Sequence, residues 1–380
     1  MNKLFYFYPH CFLKSTNKEI LVYDTLSQRH VYLKNNPLSK EDRKSFRIGF
    51  VNVSESVNDF VNLCFSKELG YFVDFEKVSP LIYGRELNFV SSIHKEREAL
   101  GYNLQSNTNL LLREVTILLN NGKDDYADEL CLQMDYPKCN NESIKLDYFL
   151  QQLSPFQYLE NIILAGEIEL SELEDTLEYM QKYNVDVIHR VMFNSFNNVI
   201  ELKLLDRFDK FSVELLVDNS VDMAQARFFL RDKVYLKAII KTLSDVDFFS
   251  EFKDVFYLPI LFPERYNIDV LTQMILSEDE ILHSSKSVMD CNMSDYVNHN
   301  IFGHITIDHT GIVSVWGKRI ASIFEYDLPS IINRWVGQDD CTWYKTRNKK
   351  YTCKECALQC LCPSISIYEE MGLYKSACSI

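Results

Sequence analysis

The chain has 380 residues, of which 47% are hydrophobic and 25% are charged. This is the balance of a globular protein with a sizeable core, long enough for two or three domains. Its formal net charge of −14 argues against nucleic acid as a partner, because a phosphate-binding surface needs concentrated positive charge. The one basic run, Lys345, Arg347, Lys349 and Lys350, is short and predicts a solvated loop.

Membrane and secretion signals are not found in the sequence. It has no apolar stretch of about 18 residues, the minimum for a membrane-spanning helix. The first residues lack the apolar core and the small-residue cleavage site of a signal peptide. We therefore expect a cytoplasmic protein, in which reduced thiols make the 11 cysteines candidates for metal ligation or redox chemistry.

Residues 1–110 are predicted to form an N-terminal α+β unit. Apolar and polar residues alternate over short strands in the first 34 residues, and residues 20–23 are predicted to pair with residues 31–33 across a polar turn. Residues 54–69 carry apolar side chains at helical spacing, with Ser54 as a candidate N-cap.

Residues 111–290 alternate between strand and helix patterns. The predicted strands are residues 115–119, 162–165, 186–191, 211–217 and 233–240, and the predicted helices are residues 144–153 and a segment from Ser171 onward. Repeated β-α units predict an α/β fold with a parallel sheet or partial barrel. Its site is then expected at the carboxyl ends of the strands.

Residues 291–380 show a different pattern. A hairpin is predicted from residues 302–308 and 312–316, followed by a helix over residues 328–336. The tail after this helix holds six of the eleven cysteines.

The spacing of the tail cysteines predicts a metal centre. Cys353 and Cys356 lie one tight turn apart, Cys362 follows, and Cys378 returns later in the chain. Four thiolates suit either a [4Fe–4S] cluster or a tetrahedral zinc, and spacing does not choose between them. Cys341 and Cys360 are surplus to this set, and His299, His304 and His309 are interpreted as ordinary surface or core residues.

This tail resembles the C-terminal half of a SPASM domain, the auxiliary iron–sulfur module of radical SAM peptide-modifying enzymes. Cys353, Cys356, Cys362 and Cys378 match the family positions that bind the second auxiliary cluster. The resemblance implies one [4Fe–4S] cluster here, with zinc as the alternative.

Other family positions have decayed. Gly311 matches the family glycine and Cys291 is a candidate for the leading cysteine, but Trp316 and Ser366 stand where the family has cysteines, so the first auxiliary site is interpreted as lost.

The middle region is similar to a degenerate radical SAM barrel. The family's Cys-x3-Cys-x2-Cys triad, which binds the catalytic cluster, is missing; only Cys131 and Cys139 follow the first strand. At the end of the next strand, Ala165-Gly166-Glu167 stands where the family's Gly-Gly-Glu contacts the cofactor, so Gly166 and Glu167 are interpreted as a remnant. S-adenosylmethionine is therefore not expected to bind, and no catalytic residue is assigned.

Over nearly its full length, the chain resembles the pseudo-radical-SAM/SPASM proteins of GG-Bacteroidales peptide-maturation systems. The resemblance implies a non-catalytic accessory subunit that binds a ribosomally made precursor peptide, an active radical SAM maturase, or both. An iron–sulfur enzyme or electron-transfer subunit acting directly in the modification is the alternative. The N-terminal unit is a candidate for leader-peptide binding by strand addition, against a plain structural cap.

Overall fold

The computed structural model describes residues 3–74, 111–119, 146–196, 198–240, 242–249, 251–252, 255–259, 275–370, 372 and 378, with the side chains of residues 198–200 and 255–259 left out. The chain forms two compact units. Unit 1 combines Met1–Tyr102, Ile275–Asn300 and Tyr344–Ile380, and unit 2 combines Asn103–Met274 and Ile301–Trp343. The division into residues 1–110, 111–290 and 291–380 remains a prediction, and its boundary near residue 110 lies outside the described residues.

Unit 1 contains two three-stranded antiparallel sheets. One has the order β5-β1-β6 and the other the order β2-β3-β4. The strands are β1 (Lys3–Phe7), β2 (Cys11–Ser15), β3 (Ile20–Asp24), β4 (His30–Leu33), β5 (Phe50–Asn52) and β6 (Gly70–Asp74). The predicted pairing of residues 20–23 with residues 31–33 is confirmed as the β3–β4 hairpin.

The helices of unit 1 begin at polar caps in most cases. They are α1 (Lys40–Arg47), α2 (Asn58–Ser66), α8 (Glu278–Leu282), α9 (Val288–Met293) and α11 (Ile367–Glu370), numbered in chain order with the helices of unit 2. Ser277 and Ser287 form complete capping boxes at the starts of α8 and α9. The prediction of Ser54 as an N-cap is wrong: the carbonyl of Ser54 accepts from the N–H of Val57 in a turn, and α2 begins only after Val57.

Unit 2 is built on a nine-stranded, mostly parallel sheet of order β12-β11-β10-β9-β8-β7-β13-β14-β15. The strands are β7 (Glu114–Leu118), β8 (Asn161–Ala165), β9 (Asp186–Met192), β10 (Phe211–Val217), β11 (Val234–Ile240), β12 (Val255–Pro259), β13 (His304–Ile307), β14 (Ile312–Val315) and β15 (Lys318–Ser322). The strands from β12 to β13 are parallel, and β14 and β15 are antiparallel. This confirms the predicted α/β class with a parallel sheet, and closure into a partial barrel stays a prediction.

The helices of unit 2 follow the strands. They are α3 (Leu146–Leu153), α4 (Leu170–Gln181), α5 (Asn198–Arg207), α6 (Ser220–Ala226), α7 (Leu243–Phe249) and α10 (Leu328–Val336). Leu173, Leu177 and Met180 are buried on one face of α4, as their spacing predicts. Helix α10 has the predicted bounds and is capped by the side chain of Asp327, which accepts from the N–H of Ser330.

Three features of the sheets were not predicted. Strands β5, β6 and β12 were missed, and a third strand, β15, extends the predicted hairpin. Moreover, β13 pairs in parallel with β7, so that His304 lies opposite Glu114 and the hairpin joins the main sheet. In the described part of the chain, no helix is both long and apolar enough to cross a membrane.

Gly70 is essential to the β5-β1-β6 sheet on steric grounds. A Cβ atom at this position would lie 2.1 Å from the carbonyl oxygen of Tyr6 and 2.7 Å from the ring of Phe5. We expect Gly70→Ala to lower the free energy of unfolding by about 2 kcal/mol through overpacking. Denaturant unfolding measures this, with Gly337→Ala as the control because Gly337 is exposed and its φ of −73° suits any residue. Equal losses in the two variants would contradict the steric explanation.

Candidate metal centre

The four predicted ligands all lie in unit 1. Cys353 and Cys362 are buried, whereas Cys356 and Cys378 are partly exposed. Tight backbone turns place the first three: the N–H of Cys356 donates to the carbonyl of Cys353, and that of Cys362 donates to the carbonyl of Leu358. Cys378 is held by a parallel bridge to Leu276. The structure thus brings these cysteines into one unit from positions spread over 26 residues of the tail.

The thiols interact with one another. The side chain of Cys378 forms a hydrogen bond with Cys362, and this bond together with burial raises the pKa of the Cys362 thiol. Burial, with the charges of Glu19, Cys378 and Cys353, raises the pKa of Cys356 to about 12. Each of these thiols therefore needs a positive partner if it is to ionise.

The four thiols have the donor chemistry of a metal site. The thiols are not in disulfides, are buried or half-buried, and lie within electrostatic range of one another. Thiolate sulfur is the ligand type of both zinc and iron–sulfur clusters. Among the described residues, however, no three histidine, cysteine, aspartate or glutamate side chains are close enough to hold an ion as they stand. The set fits a thiolate-bound group in donor chemistry, and binding would draw the sulfur atoms together.

A buried ion pair lies beside these thiols. Arg347 contacts Glu369 through both terminal nitrogens, at 3.1 and 2.8 Å, and Lys350 Nζ lies 2.8 Å from Oε1 of the same carboxylate. Arg347 Nη1 also lies 3.9 Å from Cys353 Sγ. The prediction of a solvated basic loop is therefore wrong for Arg347, which is 3% exposed.

The cysteine segment packs against the N-terminal strands β2 and β3. One apolar cluster includes Phe12, Leu21 and Tyr23 from these strands together with Leu358 and Leu361 from the tail. Glu19 Oε2 accepts from the backbone N–H of Ala357 at 2.8 Å. Sequence reasoning missed this association because no local pattern joins segments more than 300 residues apart.

The surplus cysteines occupy other positions. Cys291, the candidate leading cysteine, and Cys360 are fully buried, and their thiols form a side-chain hydrogen bond. Lys286 Nζ donates to the carbonyls of Cys360 and Cys362 at 3.0 and 2.9 Å, which fixes the backbone between the predicted ligands. Cys341 is buried in unit 2, and Cys131 and Cys139 lie outside the described residues.

The Gly166-Glu167 segment follows β8 in unit 2. Gly166 adopts a φ of 117°, a conformation that favours glycine. Its carbonyl lies 2.7 Å from His189 Nε2, and Glu201 Oε2 lies 2.7 Å from Nδ1 of the same ring. Both ring nitrogens face acceptors, which favours the doubly protonated ring and raises the pKa of His189. Glu167 is exposed and accepts from Ser195 Oγ at 2.6 Å.

The histidines singled out in the sequence divide between the two units. His304 Nδ1 lies 3.3 Å from Glu114 Oε1 in unit 2. His299 belongs to unit 1, where burial and Lys286 lower its pKa. Their interpretation as ordinary surface or core residues stays a prediction.

One face of the parallel sheet carries charged residues that the sequence analysis did not single out. Glu214 on β10 lies 2.8 Å from Arg190 Nε and 2.6 Å from Lys237 Nζ. Burial alone would raise the pKa of Glu214, but the two cations outweigh it and lower that pKa. The sequence could have indicated this group, because its charged residues interrupt otherwise apolar strands.

Solved structures of SuiB from Streptococcus suis resemble the chain. SuiB bound to the precursor peptide SuiA has a TM-score of 0.42 and 11% identity, covering 99% of this chain and 98% of SuiB. SuiB alone gives 0.40 and 12%, and SuiB bound to S-adenosylmethionine gives 0.38 and 10%; each covers 98% of this chain and 97% of SuiB. TM-scores and identities this low do not show that the two proteins share a fold or a function. No family model matches the chain, and no curated protein matches its sequence.

Proposed function

We propose that the chain is a non-catalytic accessory subunit in the maturation of a ribosomally synthesised peptide. The observation that carries the proposal is that Cys353, Cys356, Cys362 and Cys378 lie together in one unit, while the sequence has no Cys-x3-Cys-x2-Cys triad. An auxiliary thiolate set without the triad is the pattern of a SPASM-like protein that has lost S-adenosylmethionine chemistry. The finer identity, a pseudo-radical-SAM/SPASM protein, rests on the sequence resemblance.

The four cysteines would hold one [4Fe–4S] cluster, or zinc in its place. Either group would cross-link the tail, and a cluster would in addition carry an electron. This chain's own residues supply the thiolates, the buried Arg347–Glu369 pair beside them, and the apolar cluster beneath them.

The parallel sheet of unit 2 supports a non-catalytic role. On its charged face, Arg190 and Lys237 both contact Glu214, so that the carboxylate is held between two cations of the chain itself. At the end of β8, the carbonyl of Gly166 is engaged by the charged ring of His189. Both arrangements stabilise the fold with groups of the chain itself.

The N-terminal unit is the proposed site for the precursor peptide. Among the described strands, β6 lies at one edge of the sheet β5-β1-β6, and an extended leader can add to such an edge through main-chain hydrogen bonds. Next to this edge, stacked rings of Phe50, Tyr6 and Tyr71 cross the sheet, and Tyr71 is exposed. These rings would give an apolar leader residue a surface to pack on.

Co-purification tests the proposal. The chain is expressed with each radical SAM maturase and short precursor peptide found in its gene neighbourhood, and we expect a stable complex that contains at least one of them. Tyr71→Ala is expected to weaken capture of the precursor about tenfold, whereas Tyr351→Ala, also strongly exposed, serves as the control. If neither partner associates under any of these conditions, the accessory role is wrong.

An electron-transfer subunit is the second candidate, favoured by the buried positive charge that Arg347 places beside the thiols. Anaerobic reconstitution would then give a reducible [4Fe–4S] spectrum, and Cys362→Ser would abolish peptide modification without unfolding the chain. A colourless protein with stoichiometric zinc would assign the metal a structural role.

A further inference from the structure

Arg347 is a buried cation with nearly every donor assigned. Its side chain is 3% exposed, and its partner Glu369 is 0% exposed. The two terminal nitrogens bind the Glu369 carboxylate, Nε donates to the carbonyl of Pro363, and Nη2 also reaches the carbonyl of Ser364 at 3.4 Å. Such a planar, forked contact fixes the orientation of the guanidinium.

The fixed orientation directs one donor at a predicted ligand. Arg347 Nη1 points to Cys353 Sγ at 3.9 Å, and the guanidinium also acts electrostatically on Cys362. Two of the four predicted sulfur ligands therefore lie next to one immobilised positive charge.

The local charge balance shows why a cation belongs here. Arg347 is 3% exposed and shares the carboxylate of Glu369 with a second cation, Lys350. A buried cation is costly unless negative charge compensates it. Four thiolates around a divalent ion carry excess negative charge, so the metal-loaded centre would provide the compensation.

We propose that Arg347 is a positioning residue of this metal centre: held by Glu369, it donates a hydrogen bond to the sulfur of Cys353 and offsets the negative charge of the thiolate-bound metal. The inference rests on the metal centre proposed above and names a residue outside its ligand set. Hydrogen bonds to ligating sulfur orient the ligand and tune the affinity and electronic properties of the metal.

Titration with cobalt(II) tests the inference on the full chain after removal of bound metal. Cobalt(II) reports thiolate ligation through its absorption bands, whichever metal the chain natively carries. The double variant Arg347→Gln with Glu369→Gln removes both charges and keeps amide hydrogen bonding. We expect it to bind cobalt(II) about 10- to 100-fold more weakly than the native chain, with shifted bands. The exposed pair Arg113–Glu160, changed in the same way, is the control and should leave the affinity unchanged.

Each outcome decides one of the proposals. Native-like cobalt(II) affinity and bands in a folded double variant would overturn the role of Arg347 and leave the metal centre standing. Absence of cobalt(II) binding by the native chain would overturn both. If the double variant does not fold, Arg347→Lys decides: lysine keeps the charge but not the fork, so we expect about a tenfold loss and shifted bands, and unchanged values would overturn the inference.

Discussion

Removal of metal, or replacement of Cys356 by serine, is expected to expose the tail from Cys353 onward to protease while unit 2 stays resistant. Binding at a thiolate site contributes folding free energy directly, because the metal links ligands that the unfolded tail would leave apart. We expect local cleavage to accelerate about a hundredfold, equivalent to about 2.7 kcal/mol of lost local stability. Limited proteolysis followed by mass spectrometry measures the rate and maps the sites.

The control for this experiment is Cys64→Ala. Cys64 is a buried thiol in the other apolar cluster of unit 1 and is not among the predicted ligands. This variant should leave the metal-dependent protection of the tail intact. Equal resistance with and without metal would contradict the account, and would show that packing through Leu358 and Leu361 suffices to hold the segment.

Replacing His189 by glutamine is expected to cost unit 2 about 3 to 5 kcal/mol of unfolding free energy. The ring links three elements: β9 through its own position, the end of β8 through the carbonyl of Gly166, and α5 through the buried carboxylate of Glu201. The glutamine variant would leave the buried Glu201 carboxylate without the positive charge of the histidine ring. Denaturant unfolding measures the change, and the exposed His283→Gln serves as a control expected to stay within about 0.5 kcal/mol of the native chain.

The same ring predicts a pH dependence of stability. Burial opposes the charged form of His189, but Glu201 and the carbonyl of Gly166 outweigh it, so its pKa is raised above 6.5 in the folded chain. A group with a raised folded pKa contributes stability that is complete below its unfolded pKa and is lost as pH rises through the folded value. The unfolding free energy of the native chain should therefore fall as pH rises from 6.5 through the folded pKa of His189. The unfolding free energy of His189→Gln should not show this fall. Identical pH profiles of the two proteins would contradict the charged state of the ring.

Periodicity was sufficient to predict the main elements of unit 2. The apolar run Phe211–Val217 and the spacing of Leu173 and Leu177 carry their own structural signals, because burial of one face depends on local sequence. The start of α2 was not predictable from its cap signal, because a turn after Ser54 placed Val57 at the cap position instead. Parallel pairing of β13 with β7 depends on segments far apart in the chain, which no local pattern encodes.

The candidate site could be predicted only in part from the sequence. The cysteine spacing predicts which thiols are ligands, since ligand spacing is a local property, and this stays a prediction. The burial of Arg347 was not predictable, because a short basic run predicts a solvated loop. Only the structure shows its partner Glu369 buried beside it. In the same way, no local pattern pairs Glu214 with Arg190, and only the strand register places it next to Arg190.

The central claim is that the chain assists peptide maturation without catalysing it. Mass spectrometry of the precursor, after anaerobic incubation with S-adenosylmethionine and a reductant, tests this most directly when the chain and the maturase are supplied separately and together. We predict an unmodified precursor and no 5′-deoxyadenosine with the metal-loaded chain alone, and modification whenever the maturase is present, with a higher yield when the chain is added. Modified precursor or 5′-deoxyadenosine produced by the chain alone would contradict the account.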